Sequence, residues 1–443
     1  MEPMENKMLN KKKIKYTSDW TLWACYIILC AVSVVEVFSA SSQELKSGSV
    51  YLPITSHIQW LVMGFVAMFA MEHIHYKYTR LMMVFIVAGS VILAILTPLI
   101  GININGAIRG IRIAGGVTIQ AAEPCKLASA MLLAYVLSRF QKPDGTGLST
   151  KGIWWGIVIV VGFVGLLVTQ GGSNALLVLM VGGTMMILSV LPRKLIFSAI
   201  AVVVIIVAAV FAFNAISSNK PDTPAVEQVA ISEQQAPSGL EKAVSKFFGR
   251  SSTWKDRLVS WMPDSIPEYN KPTTDDNSQE HHAFMAVANG RGIGVMPGNS
   301  RECSRLQLAF SDYIYAIILE ELGLAGGFVV LLCYLGIVIR AIMISKKCKS
   351  AYASLLIMGM ALVIAYQAFY HMCIAVGAIP VSGQTLPFIS KGGTSIFIMS
   401  FAMGIMLSVS RYSVERTDSG LKTIEDDEEL PDDLKADNPV RGF

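Results

Sequence analysis

Apolar residues in this chain recur in runs of about 20 with few charges, the length an α-helix needs to cross a hydrocarbon core of roughly 30 Å. Reading windows of about 19 residues predicts ten spans. They lie near 20–40, 57–74, 81–100, 119–138, 153–169, 174–192, 195–214, 312–340, 352–379 and 393–412. The expected fold is an all-α polytopic membrane protein. Composition agrees: 15% of residues are charged and 53% hydrophobic, whereas a soluble globular domain carries roughly 25% charged residues. A soluble enzyme, a nucleic-acid binder and a disordered scaffold are excluded on that ground.

Basic residues set the orientation. With the N-terminus inside, the cytoplasmic segments hold eighteen Lys and Arg, from Lys7 to Arg416. The short outside loops hold four: Lys46, Arg109, Arg112 and Lys391. The positive-inside rule therefore predicts both termini in the cytoplasm, and the net charge of +4 reports topology, not nucleic-acid binding. The first span follows a basic segment but lacks a small-residue cleavage site, so it reads as an uncleaved anchor. Of seven Cys, Cys303 alone falls in the long outside loop, and neither a disulfide framework nor a zinc spacing is implied.

The predicted organisation is a basic segment (1–19), spans one to seven (20–214), a large extracytoplasmic loop (215–311), spans eight to ten (312–412) and an acidic cytoplasmic tail (413–443). The loop opens Ser/Asn/Pro/Gln-rich. Two amphipathic patches follow, one on Leu240, Val244, Phe247 and Phe248 and one on Trp254, Leu258, Trp261 and Met262. They suit either the membrane surface or a small packed cap.

Charges beside or within apolar spans are costly, so each is a functional hypothesis. Arg109 and Arg112 lie on the face where the rule disfavours cations; they read as an anion clamp, a head-group anchor or a structural ion pair. Glu123 and Lys126 are three apart and can pair on one helix face, either neutralising each other or shaping a hydrated cavity. Gly290, Gly292, Gly294 and Gly298 lack the strand and the Gly-Lys-Ser/Thr of a phosphate loop and fit a tight loop near a lipid-linked substrate better. Asp312 is either a helix cap beside Ser311 or a general base at the membrane boundary. Glu320 and Glu321 are adjacent and do not share a helix face, so at least one is expected to be structural. From His371 to Ser395, paired Pro and Gly break the chain where irregular backbone is tolerated only if it lines a cavity or is buried.

Four motifs carry a resemblance. They are Asn105-Gly106-Ala107-x-Arg109 with Gln120-x-x-Glu123-x-x-Lys126; Gly298-Asn299-Ser300 with Ser311-Asp312-Tyr313; Glu320-Glu321-Leu322-Gly323; and Gly377-x-x-Pro380-x-x-Gly383-x-x-Leu386-Pro387-Phe388-x-Ser390-x-Gly392-Gly393-x-Ser395. In this order the chain resembles the SEDS family (shape, elongation, division and sporulation) of polytopic glycosyltransferases.

The resemblance implies a peptidoglycan glycosyltransferase that polymerises lipid II at the outer face of the bacterial cytoplasmic membrane. It implies Asp312 as the catalytic base and Arg109, Glu123, Lys126 and Ser311 as substrate-binding residues; Lys391, an extra cation of this chain, is a further substrate-binding candidate. It further implies undecaprenyl-pyrophosphate-linked glycan as donor and a class B penicillin-binding protein, with other division proteins, as partners. Nucleic acid is not a partner. No cofactor is evident, a divalent cation (Mg or Mn) at the leaving group being the one candidate. The basic N-terminal extension and acidic tail incline the reading to the septal branch over the elongation branch; the rival class is a lipid II flippase. Departures are concrete: Gly110 replaces a Trp, Ala121-Ala122 a Pro-Ser, Gln307-Leu308-Ala309-Phe310 a Pro-Glu-x-His, Gly172-Ser173-Asn174 an Asp-Leu-Gly, His371 an Asn and Lys391 a Tyr.

Overall fold

The expected apolar runs fold as helices. The computed structural model describes residues 17–42, 51–104, 107–112, 118–142, 147–168, 170–189, 278–306, 309–417, 420–423 and 439. The seventh predicted span, both amphipathic patches and most of the acidic tail lie outside them. The helices are α1 (Trp20–Ser42), α2 (Tyr51–His73), α3 (Thr79–Ile100), α4 (Ala122–Arg139), α5 (Thr150–Val168), α6 (Gly172–Leu188), α7 (Ser278–Gly290), α8 (Ile314–Glu321), α9 (Gly323–Lys347), α10 (Ala351–Ala375) and α11 (Gly393–Ser413). Seven of the described helices, α1, α2, α3, α5, α9, α10 and α11, are long and apolar enough to cross a membrane. Helix α6 is shorter, and α4 carries Glu123, Lys126 and Arg139. The chain is a multi-pass, mostly helical membrane protein.

Burial separates centre from perimeter. In α10 and α11 the apolar stretches are 83% and 72% buried, against 22% in α2 and α3. Phe38, Val62, Phe85, Leu99 and Trp154 stay exposed, as side chains facing hydrocarbon do. The α2–α11 pair closes on small residues. A Cβ at Gly64 would lie 2.7 Å from the Ser400 hydroxyl, and one at Gly404 2.7 Å from the Met68 carbonyl. Close backbone approach of this kind replaces the hydrophobic drive that is missing between helices in lipid.

The all-α expectation omits two small sheets. Between α3 and α4, β1 (Ile102–Ile104), β2 (Ala107–Arg112) and β3 (Thr118–Gln120) form an antiparallel sheet in that order. Gly110 faces Ile102 and Ile108 faces Asn103 across a register shift, which leaves Arg109 as the extra residue of a bulge. This sheet replaces the first turn expected for α4, which starts at Ala122 rather than 119. After α11, β4 (Val414–Thr417) pairs with β5 (Gly420–Thr423).

The eighth predicted span is broken in two. It starts at Ile314, so Asp312 lies in the turn before the helix rather than heading it. It breaks again at Gly323, whose φ of +69° suits glycine. A helix break frees carbonyls on one side and amides on the other. The chain after α7 satisfies both. Val295 and Met296 donate N–H groups to the Glu320 and Glu321 carbonyls at 2.9 and 2.8 Å, while Leu324 N–H reaches the Arg291 carbonyl at 3.2 Å. The two glutamate side chains hold the same segment. Glu320 accepts from Asn289 Nδ2 (3.1 Å), Arg301 N–H (3.2 Å) and the Ser300 hydroxyl. Glu321 accepts from the Ser39 hydroxyl (2.5 Å) and Gly298 N–H (3.3 Å). Both glutamates are therefore structural, because the segment wraps the end of α8 and meets two faces.

The glycines of this segment serve the same docking. A Cβ on Gly290 would sit 1.7 Å from the Leu319 carbonyl oxygen. Gly290→Ala must push α7 off α8, and overpacking of this kind costs about 1–3 kcal/mol or more. The expected outcome is a clear drop in the unfolding temperature of the detergent-purified protein, read by intrinsic fluorescence. Gly292→Ala, where the space is open, should leave it unchanged.

Candidate functional site

The site is built around one charged pair. Glu123 lies in the first turn of α4, where the helix dipole favours an acid. Lys126, one turn on, donates to Glu123 Oε1 at 2.9 Å, and both side chains are buried. The ammonium also donates to Gln367 Oε1 of α10 at 2.5 Å. Gln367 Nε2 in turn donates to the carbonyl and the hydroxyl of Thr385, each at 3.1 Å, and the Thr385 hydroxyl meets Ser395 Oγ at 2.9 Å. A continuous polar path thus runs from α4 through α10 into the loop that precedes α11.

The same loop holds the second half of the site. Ser390 Oγ accepts from Leu386 N–H at 2.7 Å and donates to the Ser311 carbonyl at 2.8 Å. Lys391 N–H donates to the Phe310 carbonyl at 2.9 Å, and the Lys391 ammonium stands 4.4 Å from the centre of the Phe310 ring. These contacts fix the turn in which the Ser311 hydroxyl donates to Asp312 Oδ1 at 2.8 Å. Asp312 is 7% exposed.

A small polar cleft is lined by Gln120, Ala122, Glu123, Gln170, Asn174, Gly383, Gln384 and Thr385. Gln384 Nε2 donates to Ser173 Oγ (2.9 Å) and Asn174 Oδ1 (3.1 Å). Glu123 Oε2 and Gln170 Oε1 are buried acceptors without a partner among the described residues. His371 Nδ1 donates to the Gln384 carbonyl at 2.7 Å, which leaves Nε2 a buried acceptor, also without a partner among them.

The sequence-predicted residues divide accordingly. Glu123 pairs with Lys126, and Ser311, Asp312 and Lys391 come together across the loop. Arg109 contributes a strand position only, its side chain being outside the described residues, while Arg112 is exposed. Among the described residues no group of three or more His, Cys, Asp or Glu comes together. The Asp312 turn, with one carboxylate and one hydroxyl, does not fit a divalent cation, and no step through one is derived. Gln367 was missed; a lone amide inside the apolar run of α10 was the available signal. So were Gln170 and Gln384, whose roles depend on which chain segments meet.

Apolar helices enclosing a buried set of charged, amide and hydroxyl groups define a polytopic membrane protein with an internal polar site. The family profile of FtsW, RodA and SpoVE, described as cell cycle protein, matches residues 19–221 and 243–415, and the chain belongs to that family. A relative from Enterococcus hirae, named probable peptidoglycan glycosyltransferase FtsW, is 26% identical over 92% of this chain and 96% of its own length. Among solved structures, one reported under structural coordination of polymerization and crosslinking by a peptidoglycan synthase complex aligns at TM-score 0.65 and 18% identity, covering 90% of this chain and 99% of that one. Rod shape determining protein RodA of Thermus thermophilus aligns at TM-score 0.57 and 18% identity, covering 90% and 98%. At these identities the structures share the fold.

The Glu123–Lys126 pair predicts a mutational asymmetry. Removing one partner of a buried pair typically costs about 3–5 kcal/mol, because a charge is left uncompensated. Lys126→Met should therefore lower the thermal midpoint in detergent more than the double change Glu123→Gln with Lys126→Met. Equal or additive losses would mean that the two side chains are not coupled.

Proposed function

We propose that this protein is a peptidoglycan glycosyltransferase that polymerises lipid II at the outer face of the cytoplasmic membrane, acting in septal wall synthesis. The observation that carries the reading is the Ser311–Asp312 turn, a buried carboxylate held by a hydroxyl and locked under a cation-bearing loop, in a chain of this family. The name of the Enterococcus hirae relative supports both the activity and the septal assignment. The apolar runs support ten spans, and the basic-residue count supports both termini in the cytoplasm.

In the reaction, a sugar hydroxyl of the incoming lipid II attacks the anomeric carbon of the lipid-linked donor chain. The new glycosidic C–O bond forms as the bond to the pyrophosphate breaks. Asp312 takes the hydroxyl proton, and a carboxylate placed for that purpose contributes typically 10²–10⁴-fold. Negative charge grows on the departing undecaprenyl pyrophosphate, which Arg109 and Lys391 offset electrostatically. Glu123 and Lys126 shape the polar wall beside Thr385. The synthase-complex structure supports a class B penicillin-binding protein as the partner that cross-links the product.

Asp312→Asn preserves shape and hydrogen bonding but not basicity. With the transpeptidase partner supplied, glycan formed from purified lipid II should fall at least about 100-fold, with partner binding intact. Full polymerase activity in that variant would overturn the assignment. Arg109→Ala should weaken polymerisation without abolishing it, as read from polymer yield on gels.

A further inference from the structure

Two polar side chains buried between α1 and α2 have no part in the chemistry above, yet they reach the loop that covers Asp312. His57 Nε2 lies 2.8 Å from Ser33 Oγ, and the Ser33 hydroxyl donates to the Ile389 carbonyl at 2.8 Å. His57 is 2% exposed and Ser33 fully buried. Ser33 has one proton and gives it to Ile389, so it can meet His57 only as an acceptor. The hydrogen on the imidazole is therefore on Nε2.

The Ile389 carbonyl needs this anchor. The preceding residue, Phe388, has φ of +65°, a left-handed conformation that a bulky non-glycine residue avoids. Such conformations persist only when the surroundings over-determine them. Here the surroundings do so on both sides of Phe388. The Tyr334 hydroxyl donates to the Pro387 carbonyl, and the Phe388 ring packs edge-on against Tyr26 at 5.2 Å. Beyond Ile389, Ser390 and Lys391 dock on the carbonyls of Ser311 and Phe310.

We propose that His57 is a positioning residue for the reaction: through Ser33 it fixes the Ile389 carbonyl, and thereby holds the left-handed Phe388 turn that seats Ser390 and Lys391 against the Asp312 turn. The proposal rests on the reading of Asp312 as the base only for its kinetic consequence; the anchoring chain stands on geometry alone. Glutamine places an N–H close to the position of Nε2, whereas leucine places none, so the two variants separate hydrogen bonding from packing.

The test compares His57→Leu, His57→Gln, Ser33→Ala and the double change His57→Leu with Ser33→Ala, in the full chain with its transpeptidase partner and lipid II. His57→Leu should lower kcat about tenfold or more (~1.4 kcal/mol) with KM within about twofold. His57→Gln should recover most of that loss, and the double variant should be no worse than His57→Leu, since both break one chain. Independently of turnover, ¹⁵N-histidine spectra of the unmodified protein, assigned by subtraction of His57→Gln, should show the Nε2–H tautomer. Equal impairment by Leu and Gln, additive losses in the double variant, or an Nδ1–H tautomer would each overturn the proposal. Failure of the base reading would look different: Asp312→Asn would stay active while the tautomer and the His57–Ser33 coupling persisted.

Discussion

A chain that leaves the helical form in hydrocarbon surroundings must satisfy its own freed amides and carbonyls, because no water is there to do so. Two places in this protein meet that demand, and the site stands on both. At the α8–α9 break, the segment after α7 supplies amides to the Glu320 and Glu321 carbonyls and a carbonyl to Leu324. Before α11, the carbonyls of Thr385, Pro387 and Ile389 take hydrogen bonds from Gln367, Tyr334 and Ser33, each on a different helix. Asp312 lies just before α8, and the docking of the second structure on Ser311 fixes its turn.

The same demand explains the scarce charges. A lone buried ion would be expensive, and Lys126 is instead held by Glu123 and Gln367 together. Gln367 cannot relax to another geometry without abandoning Thr385, so the pair and the loop are coupled mechanically. Gln384, Ser173 and Asn174 close the cleft from the α6 side with neutral groups. Glu123 is the acidic residue among the described residues that line it.

Legibility in the sequence followed the range of the interaction. Glu123 with Lys126 was readable because both partners sit on one helix three residues apart, and helical geometry dictates their meeting. The broken stretch before α11 was readable from its Pro and Gly. That Glu320 and Glu321 both hold one segment was not readable, because adjacency on a helix says nothing about a segment that wraps its end. The three-stranded sheet was hidden in short strands of three to six residues, below what alternation can mark. Gln367 and His57 offered only the signal of a polar residue in an apolar run, without a partner to name.

By itself the sequence determined that the chain is a multi-pass helical membrane protein. Apolar length and the cost of charge in lipid are local quantities, summed along one segment at a time. It also marked Asp312, Glu123 and Lys126 as candidates, since they are polar where polarity is expensive. Only the tertiary structure decided which of them meet. That Ser390 from one loop holds Ser311 from another, and that Ser33 and His57 from the first two helices hold Ile389, depends on helix packing across 79 residues of chain in the first case and 356 from Ser33 in the second. Directional hydrogen bonds a few ångströms long select one such packing, and no local pattern encodes their partners.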